Sequence, residues 1–250
     1  MSESFATVEP LAEYPTLAAR ARAPRLGVTV VAALVDAIVR GDLEPGTSLP
    51  PEGVLCEQFG VSRTVIRESA KRLEEKGLVS VAQGRGTTVL PPTSWNMVDA
   101  TVLGALVAND ATLGTLDDLA VVRASLEAIT ARDAATRRTD NELARLRDAL
   151  VLMRETIGDE PSFNQADVVF HEIVGEITAN RLADSIVRTL FTEARASARF
   201  HLHSELDITL REHERVFAAI EAQDADEAEA AMRSHIVDAW ERRRPPSPKR

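Results

Sequence analysis

The segment from Gly60 to Leu90, GVSRTVIRESAKRLEEKGLVSVAQGRGTTVL, constrains this chain more than any other. Ser62 is a good helix N-cap, and the apolar residues after it recur at helical spacing as far as Gly77. At about 100° per residue, Ile66, Ser69, Ala70 and Leu73 share one stripe, which has to pack on something. Arg63, Thr64, Arg67 and Lys71 form a second, cationic stripe. Leu78–Ala82 and Thr87–Leu90 then alternate around Gln83–Gly86, which predicts a hairpin tipped by Gly-Arg-Gly.

The preceding residues supply what the stripe packs on. Val28 to Arg40 reads as a helix, with Val31, Leu34, Val35 and Ile38 at helical spacing and Gly41 ending it. GDLEPGTSLP is an extended turn, and Pro50–Pro51 leads into a short helix closed by Gly60. Helix, short helix, turn, N-capped basic helix and hairpin in that order predict a winged helix-turn-helix over 28–90. Its basic helix would enter the major groove. Arg63, Thr64 and Arg67 lie in the first turn and a half, where guanidinium forks match guanine edges or phosphate oxygens. Lys71 suits a phosphate. Gly84 and Gly86 let the wing approach the DNA backbone, and Arg85 could enter the minor groove. A basic surface helix alone would mean little; the ordered string is what carries the reading.

A net charge of −10 looks wrong for a nucleic-acid binder. The charge is uneven, however: residues 60–90 hold six basic and three acidic side chains, whereas 91–250 hold 19 and 28. Binding depends on the local patch, and the acidic remainder suppresses non-specific adhesion. The single cysteine, Cys56, excludes an intramolecular disulfide and reads as a small buried residue in a reducing, cytoplasmic setting. No signal peptide or membrane-length apolar run is evident.

Residues 1–27 read as a loose leader whose Arg20, Arg22 and Arg25 are either solvated or a DNA-touching arm, 91–98 as a linker begun by Pro91–Pro92, and 244–250 as a disordered tail. From 99 to 243 the pattern predicts only helices, about 99–108, 116–138, 140–157, 162–178, 181–203, 208–222 and 225–243. The fold class is therefore mainly α, a winged helix-turn-helix followed by an all-helical bundle.

Within the bundle, Asp167 and His171 are four apart on a face shared with Phe163, Phe170, Val174 and Ile177. His213 lies with Leu210, Val216, Phe217 and Ile220, and His235 with Ala228, Met232 and Ala239. A lone inward histidine is ordinarily a satisfied core residue. Four inward polar groups on three helices are costly unless they share a partner. A divalent metal ion satisfies all four; three imidazoles and a carboxylate suit Zn²⁺ best, with Mn²⁺, Ni²⁺ or Fe²⁺ as alternatives. His201 and His203 read as surface residues. Arg123 also faces inward, one turn before Glu127. It is either a buried ion pair with Glu127 or a clamp for an effector carboxylate, and Glu127 can orient it in both cases.

The stretch LEPGTSLPPEGVLCEQFGVSRTVIRESAKRLEEKGLVSVAQGRGTTV resembles the GntR family of bacterial transcription regulators over about 50 residues without a gap. That resemblance implies DNA contacts at Arg63, Thr64, Arg67, Gln83, Gly84 and Arg85. It also exposes a departure, since the arginine usual after the glutamate of LPPE is here Gly53. From about Leu116 to Arg243, VRASLEAITARDAA, DVVFHEIVGEITAN and REHERVFAAIEAQDADEAEAAMRSHI resemble the all-helical FCD effector domain of the FadR-type branch. This implies Asp167, His171, His213 and His235 as metal ligands and Arg123 as an effector contact. Asn180 matches a family position as well, though capping of the next helix explains it equally. SWNMVDATVL is similar to regulators of sugar-acid catabolism. The expectation is a homodimeric repressor that binds a palindromic operator and is controlled by a small carboxylate, a sugar acid or related hydroxy acid. Two rivals stand beside it: an architectural DNA binder with a purely structural metal, and a metal-dependent enzyme, for which no nucleophile or general base is recognisable.

Overall fold

The computed structural model describes residues 23–82, 86–196 and 205–244. Gln83, Gly84 and Arg85 of the expected wing tip, His201 and His203, and Arg20 and Arg22 of the leader lie outside the described residues.

The N-terminal unit contains α1 (Ala23–Arg40), α2 (Glu52–Phe59), α3 (Arg63–Glu75), β1 (Val79–Ala82) and β2 (Gly86–Val89). Helix α1 begins at Ala23, inside the stretch expected to be a leader. Ser62 caps α3 as expected, its Oγ accepting from the Val65 amide at 3.4 Å. Gly60, in the left-handed conformation at φ 63°, ends α2. β1 and β2 pair antiparallel with Val79 opposite Val89. Ile66, Ser69 and Leu73 of α3 are buried against Val30, Val31, Leu34, Val35 and Ile38 of α1, while Ala70 is half-buried. Each fully buried aliphatic side chain stabilises this small core by about 1.5–3 kcal/mol.

The joining segment is docked. A short 3-10 turn (Pro92–Ser94) leads into α4 (Ala100–Asn109). Trp95 packs against the N-terminal core and donates Nε1 to the Leu90 carbonyl at 3.0 Å. Lys76, at the end of α3, meets the Asp99 carboxylate at 2.6 Å, and that carboxylate also caps α4. Helix α4 serves two cores. Val102, Ala105 and Leu106 pack with the N-terminal unit, and Leu103 and Val107 pack with Leu116, Leu119, Leu190, Phe191 and Trp240. Because those residues are three and four apart, one helix presents both faces.

The bundle comprises α5 (Gly114–Arg137), α6 (Asp140–Glu155), α7 (Glu160–Ile177), α8 (Arg181–Ala196), α9 (Leu206–Glu221) and α10 (Ala225–Arg243). Starts and stops follow local chemistry: a reciprocal Thr139–Glu142 capping box opens α6, and Asp224 caps α10. Ala124, Ala128, Ala131, Ala134 and Ala135 on α5 are buried, and such small side chains let α10 approach α5 closely. No helix among the described residues is long and apolar enough to cross a membrane.

Candidate metal centre and nucleic-acid interface

The four polar side chains expected to converge do so. Asp167, His171, His213 and His235 are buried, and one potential ligand atom from each lies within 4.8 Å of all the others. Helix α7 delivers Asp167 and His171 on one face, α9 delivers His213 and α10 delivers His235. Nε2 of His213 is 3.2 Å from Nε2 of His171 and 3.2 Å from Oδ1 of Asp167. Phe170 packs edge-on to the His213 ring, with centroids 5.0 Å apart.

What lies behind each imidazole was not read from the sequence. Nδ1 of His213 is 2.8 Å from the Thr209 carbonyl oxygen. Nδ1 of His235 is 3.0 Å from Oε2 of Glu212. Nδ1 of His171 comes within 2.6 Å of Oε2 of Glu127, a close approach that is not aligned as a hydrogen bond. Nδ1 of His213 and of His235 thus each meets a hydrogen-bond acceptor, and a carboxylate oxygen stands close to Nδ1 of His171, which favours the tautomer whose Nε2 carries a lone pair. That assignment follows from the partners. Glu212 immediately precedes His213 on the α9 surface, and nothing in its local spacing announces that it meets α10.

Electrostatics reinforce the arrangement. Burial by itself would raise the Asp167 carboxyl, but the adjacent Nε2 of His213 and the neighbouring imidazoles hold it well below the usual range. Burial likewise opposes ionisation of Glu127, yet the Arg123 charge and the adjacent His171 ring bring it down to about 2. Glu212 also falls to about 2, with burial offset by His235 and Arg242. His235 is lowered to about 3, first by burial and then by repulsion from His213. An anionic carboxylate beside a neutral His235 is the protonation state that a cation requires. The donor set fits a divalent metal ion.

Arg123 is buried, and its Nε donates to Oε1 of Glu127 at 2.7 Å. Its guanidinium carbon also sits 3.8 Å above the Phe191 ring. The ion pair expected from the sequence is therefore present. Arg123, Asp167, His171, Phe191, His235 and Arg243 are among the residues lining a cleft of about 20 Å³. A second cavity of about 220 Å³ lies between α5, α7 and α8 and shares His171 and Phe191 with the first. The smaller cleft is the one that belongs to the cluster, since it touches three of the four candidate ligands. Asn180 accepts from the Ala183 amide at 3.0 Å, so its capping role is real.

On the N-terminal unit, Arg63, Thr64, Arg67 and Lys71 are exposed along α3, opposite or flanking its buried stripe. Arg67 donates Nε to Glu52 at 2.9 Å, and Lys71 pairs with Glu68 at 2.8 Å. Gly86 opens β2 at φ 85°, which favours glycine. Gly53 faces open space where the expected arginine is missing.

Comparison with known proteins agrees with this architecture. The model of the gntR family of bacterial regulatory proteins matches residues 26–89, and that of the FCD domain matches 118–238, which includes all four cluster residues. The Galactonate operon transcriptional repressor of Escherichia coli (strain K12) is 35% identical over 216 residues, covering 85% of this chain and 94% of the relative. The Uxu operon transcriptional regulator of the same organism is 33% identical, covering 85% and 84%. The transcriptional regulator LutR of Bacillus subtilis (strain 168) is 31% identical, covering 80% and 93%. Among solved structures, Lar, described as controlling expression of the Listeria monocytogenes agr system, superposes with a TM-score of 0.53 at 18% identity, covering 91% of this chain and 96% of that one. That last likeness concerns the fold alone. Family and relatives alike are transcription regulators, so the enzymatic alternative falls away. With an N-terminal winged helix-turn-helix, a helical FCD domain and relatives this similar over most of its length, the chain belongs to the GntR family of transcription regulators, in its FadR-type branch.

Proposed function

We propose that this regulator is a cytoplasmic homodimeric repressor whose hold on a palindromic operator is set by a small hydroxy acid bound beside a divalent metal ion. The observation that carries the reading is the buried cluster of Asp167, His171, His213 and His235, joined to the DNA-binding core through the two faces of α4. Three imidazoles and a carboxylate suit Zn²⁺, with Mn²⁺, Ni²⁺ or Fe²⁺ as alternatives. Bound there, the metal supplies a Lewis-acidic site for a carboxylate.

The chain's own residues do the rest. Arg123 adds a cation at the cleft wall. The cleft has room for little more than one water molecule, so an organic acid that occupies it displaces its walls. Phe191 on α8 is one of those walls, and it packs in the same cluster as Leu103 and Val107 of α4. Pressure on α8 therefore reaches α4, the Lys76–Asp99 pair and the end of α3. Coupling of this sort amounts to about 1–3 kcal/mol. On the DNA side, Arg63, Thr64 and Arg67 read base edges, Lys71 holds a phosphate, and Gln83, Gly84, Arg85 and Gly86 contact the DNA, with Arg85 in the minor groove.

A sugar acid is the effector class favoured by similarity to regulators named for a galactonate operon and a Uxu operon. The test is a thermal-shift screen of sugar acids, hydroxy acids and dicarboxylates against the zinc-loaded protein, followed by operator-release assays with the hits. Stabilisation that needs both metal and acid, and that weakens operator binding, is the expected result. If no acid alters operator affinity, the metal serves only the fold.

A further inference from the structure

We infer that Glu127 and Glu212 are positioning residues for the metal centre, and that Glu127 also ties the metal to the cleft cation Arg123. This rests on the metal reading given above. Two chains of charged groups converge on the cluster from different helices. In the first, Arg123 Nε donates to one oxygen of Glu127 at 2.7 Å, and the other oxygen lies 2.6 Å from Nδ1 of His171. In the second, Arg242 grips Glu212 through both terminal nitrogens at 2.6 and 2.7 Å, and Glu212 lies 3.0 Å from Nδ1 of His235.

An imidazole can present either nitrogen to a metal. Which one it presents is decided by what the other nitrogen meets. A carboxylate fixed behind Nδ1 selects Nε2 for the interior, and the arginine behind each carboxylate fixes the carboxylate. His213 needs no such device, since the Thr209 carbonyl of its own helix does the same work at 2.8 Å.

The two chains differ in one respect. Arg123 lines the narrow cleft beside Asp167, His171 and His235, and Arg242 is not among the cleft's lining residues. The Arg123–Glu127 pair uses Nε, so the two terminal nitrogens of Arg123 are not part of it. An anion that draws on those nitrogens is felt by Glu127 and hence by His171. The Arg242–Glu212–His235 chain serves the metal alone.

The experiment uses the full-length chain stripped of metal, with Zn²⁺ and Ni²⁺ themselves as probes. Affinities come from chelator competition for the parent, E127Q, E212Q, R123M and the E127Q/R123M double variant. Thermal midpoints of the metal-free proteins and ¹⁵N signals of the imidazole rings are recorded alongside. E127Q and E212Q should each weaken metal binding about 10–100-fold. Ring signals of His171 in the first and of His235 in the second should move from one tautomer to a mixture, a change that mere loss of packing does not produce. R123M should also weaken metal binding, and its effect should vanish in the E127Q background. Glutamine variants that bind both ions as tightly as the parent, with unmoved imidazole signals, overturn the positioning role. Additive losses for Arg123 and Glu127 overturn the link between them. Should E127Q fail to fold, E212Q, whose carboxylate is partly exposed, still decides the positioning claim. A parent chain that binds neither ion sinks the metal reading itself, an outcome distinct from equal binding by parent and variants.

Discussion

Arg67 on α3 donates Nε to both carboxylate oxygens of Glu52 on α2, at 2.9 and 3.1 Å, while both side chains remain open to solvent. An exposed pair like this contributes at most about 1 kcal/mol to stability. Its value is orientation, because a guanidinium held by Nε keeps its terminal nitrogens for a base edge. The glutamate also places a negative charge against any phosphate approaching by chance. E52Q should therefore raise affinity for random duplex DNA and lower the ratio of operator to random binding at fixed salt. An unchanged ratio removes the orienting role. R67A should cost about 1–3 kcal/mol of operator affinity.

Gly53 is the second residue of α2, beside Glu52, and a Cβ added there meets nothing within 4 Å. An arginine fits without strain and restores the cation usual in the family. G53R should bind DNA more tightly, and the slope of log affinity against log salt should steepen by about 0.9 for one added phosphate contact. A salt slope equal to that of the parent would mean the new side chain misses the backbone.

If the cluster holds a divalent ion as proposed, removing it should be costly to the bundle. At a free ion concentration of 100 times the dissociation constant, binding stabilises the folded state by about 2.7 kcal/mol. For a chain of this size each kcal/mol shifts the thermal midpoint by about 2–4 °C. Saturating zinc should thus raise the midpoint of the stripped protein by about 5–10 °C. H213A, which deletes a fully buried ring at the centre of the cluster, should abolish the increment.

At Gly77, φ is +71°, and an added Cβ would overlap the carbonyl oxygen of Ser94. That neighbour is backbone, so it cannot swing aside. G77A should destabilise the N-terminal unit by about 1–3 kcal/mol through left-handed strain and displacement of the docked 92–99 segment. Thermal unfolding of G77A and of S94A, which leaves the carbonyl in place, would tell them apart, since S94A should unfold close to the parent.

Asp110 holds the turn before α5. Its carboxylate accepts from the Thr112 and Thr115 amides at 2.8 and 2.7 Å, next to Leu113, which is in the left-handed conformation at φ 65°. Burial would raise this carboxyl, yet bonds from Thr112 and Thr115 lower it from 3.8 to about 2. A carboxyl lowered on folding stabilises the native state above its unfolded value. That contribution is lost as pH falls from about 3.8 to about 2. D110N should unfold more easily at neutral pH, and its stability should depend less steeply on pH in that window. Parallel acid limbs for D110N and parent would refute this.

The sequence on its own determined most of the helices, the Gly60 and Ser62 boundaries of α2 and α3, and the inward faces of Asp167, His171, His213 and His235, because periodicity and capping are local properties of neighbouring residues. It likewise showed the cationic stripe of α3. Only the tertiary structure decided that Glu127 stands behind His171, that Glu212 stands behind His235, that Glu52 holds Arg67, and that α4 belongs to two cores. The reason is physical: spacing along a helix states which side chains share a face, whereas the helix they meet depends on packing between segments far apart in the chain. Each of those four relationships joins residues on different elements.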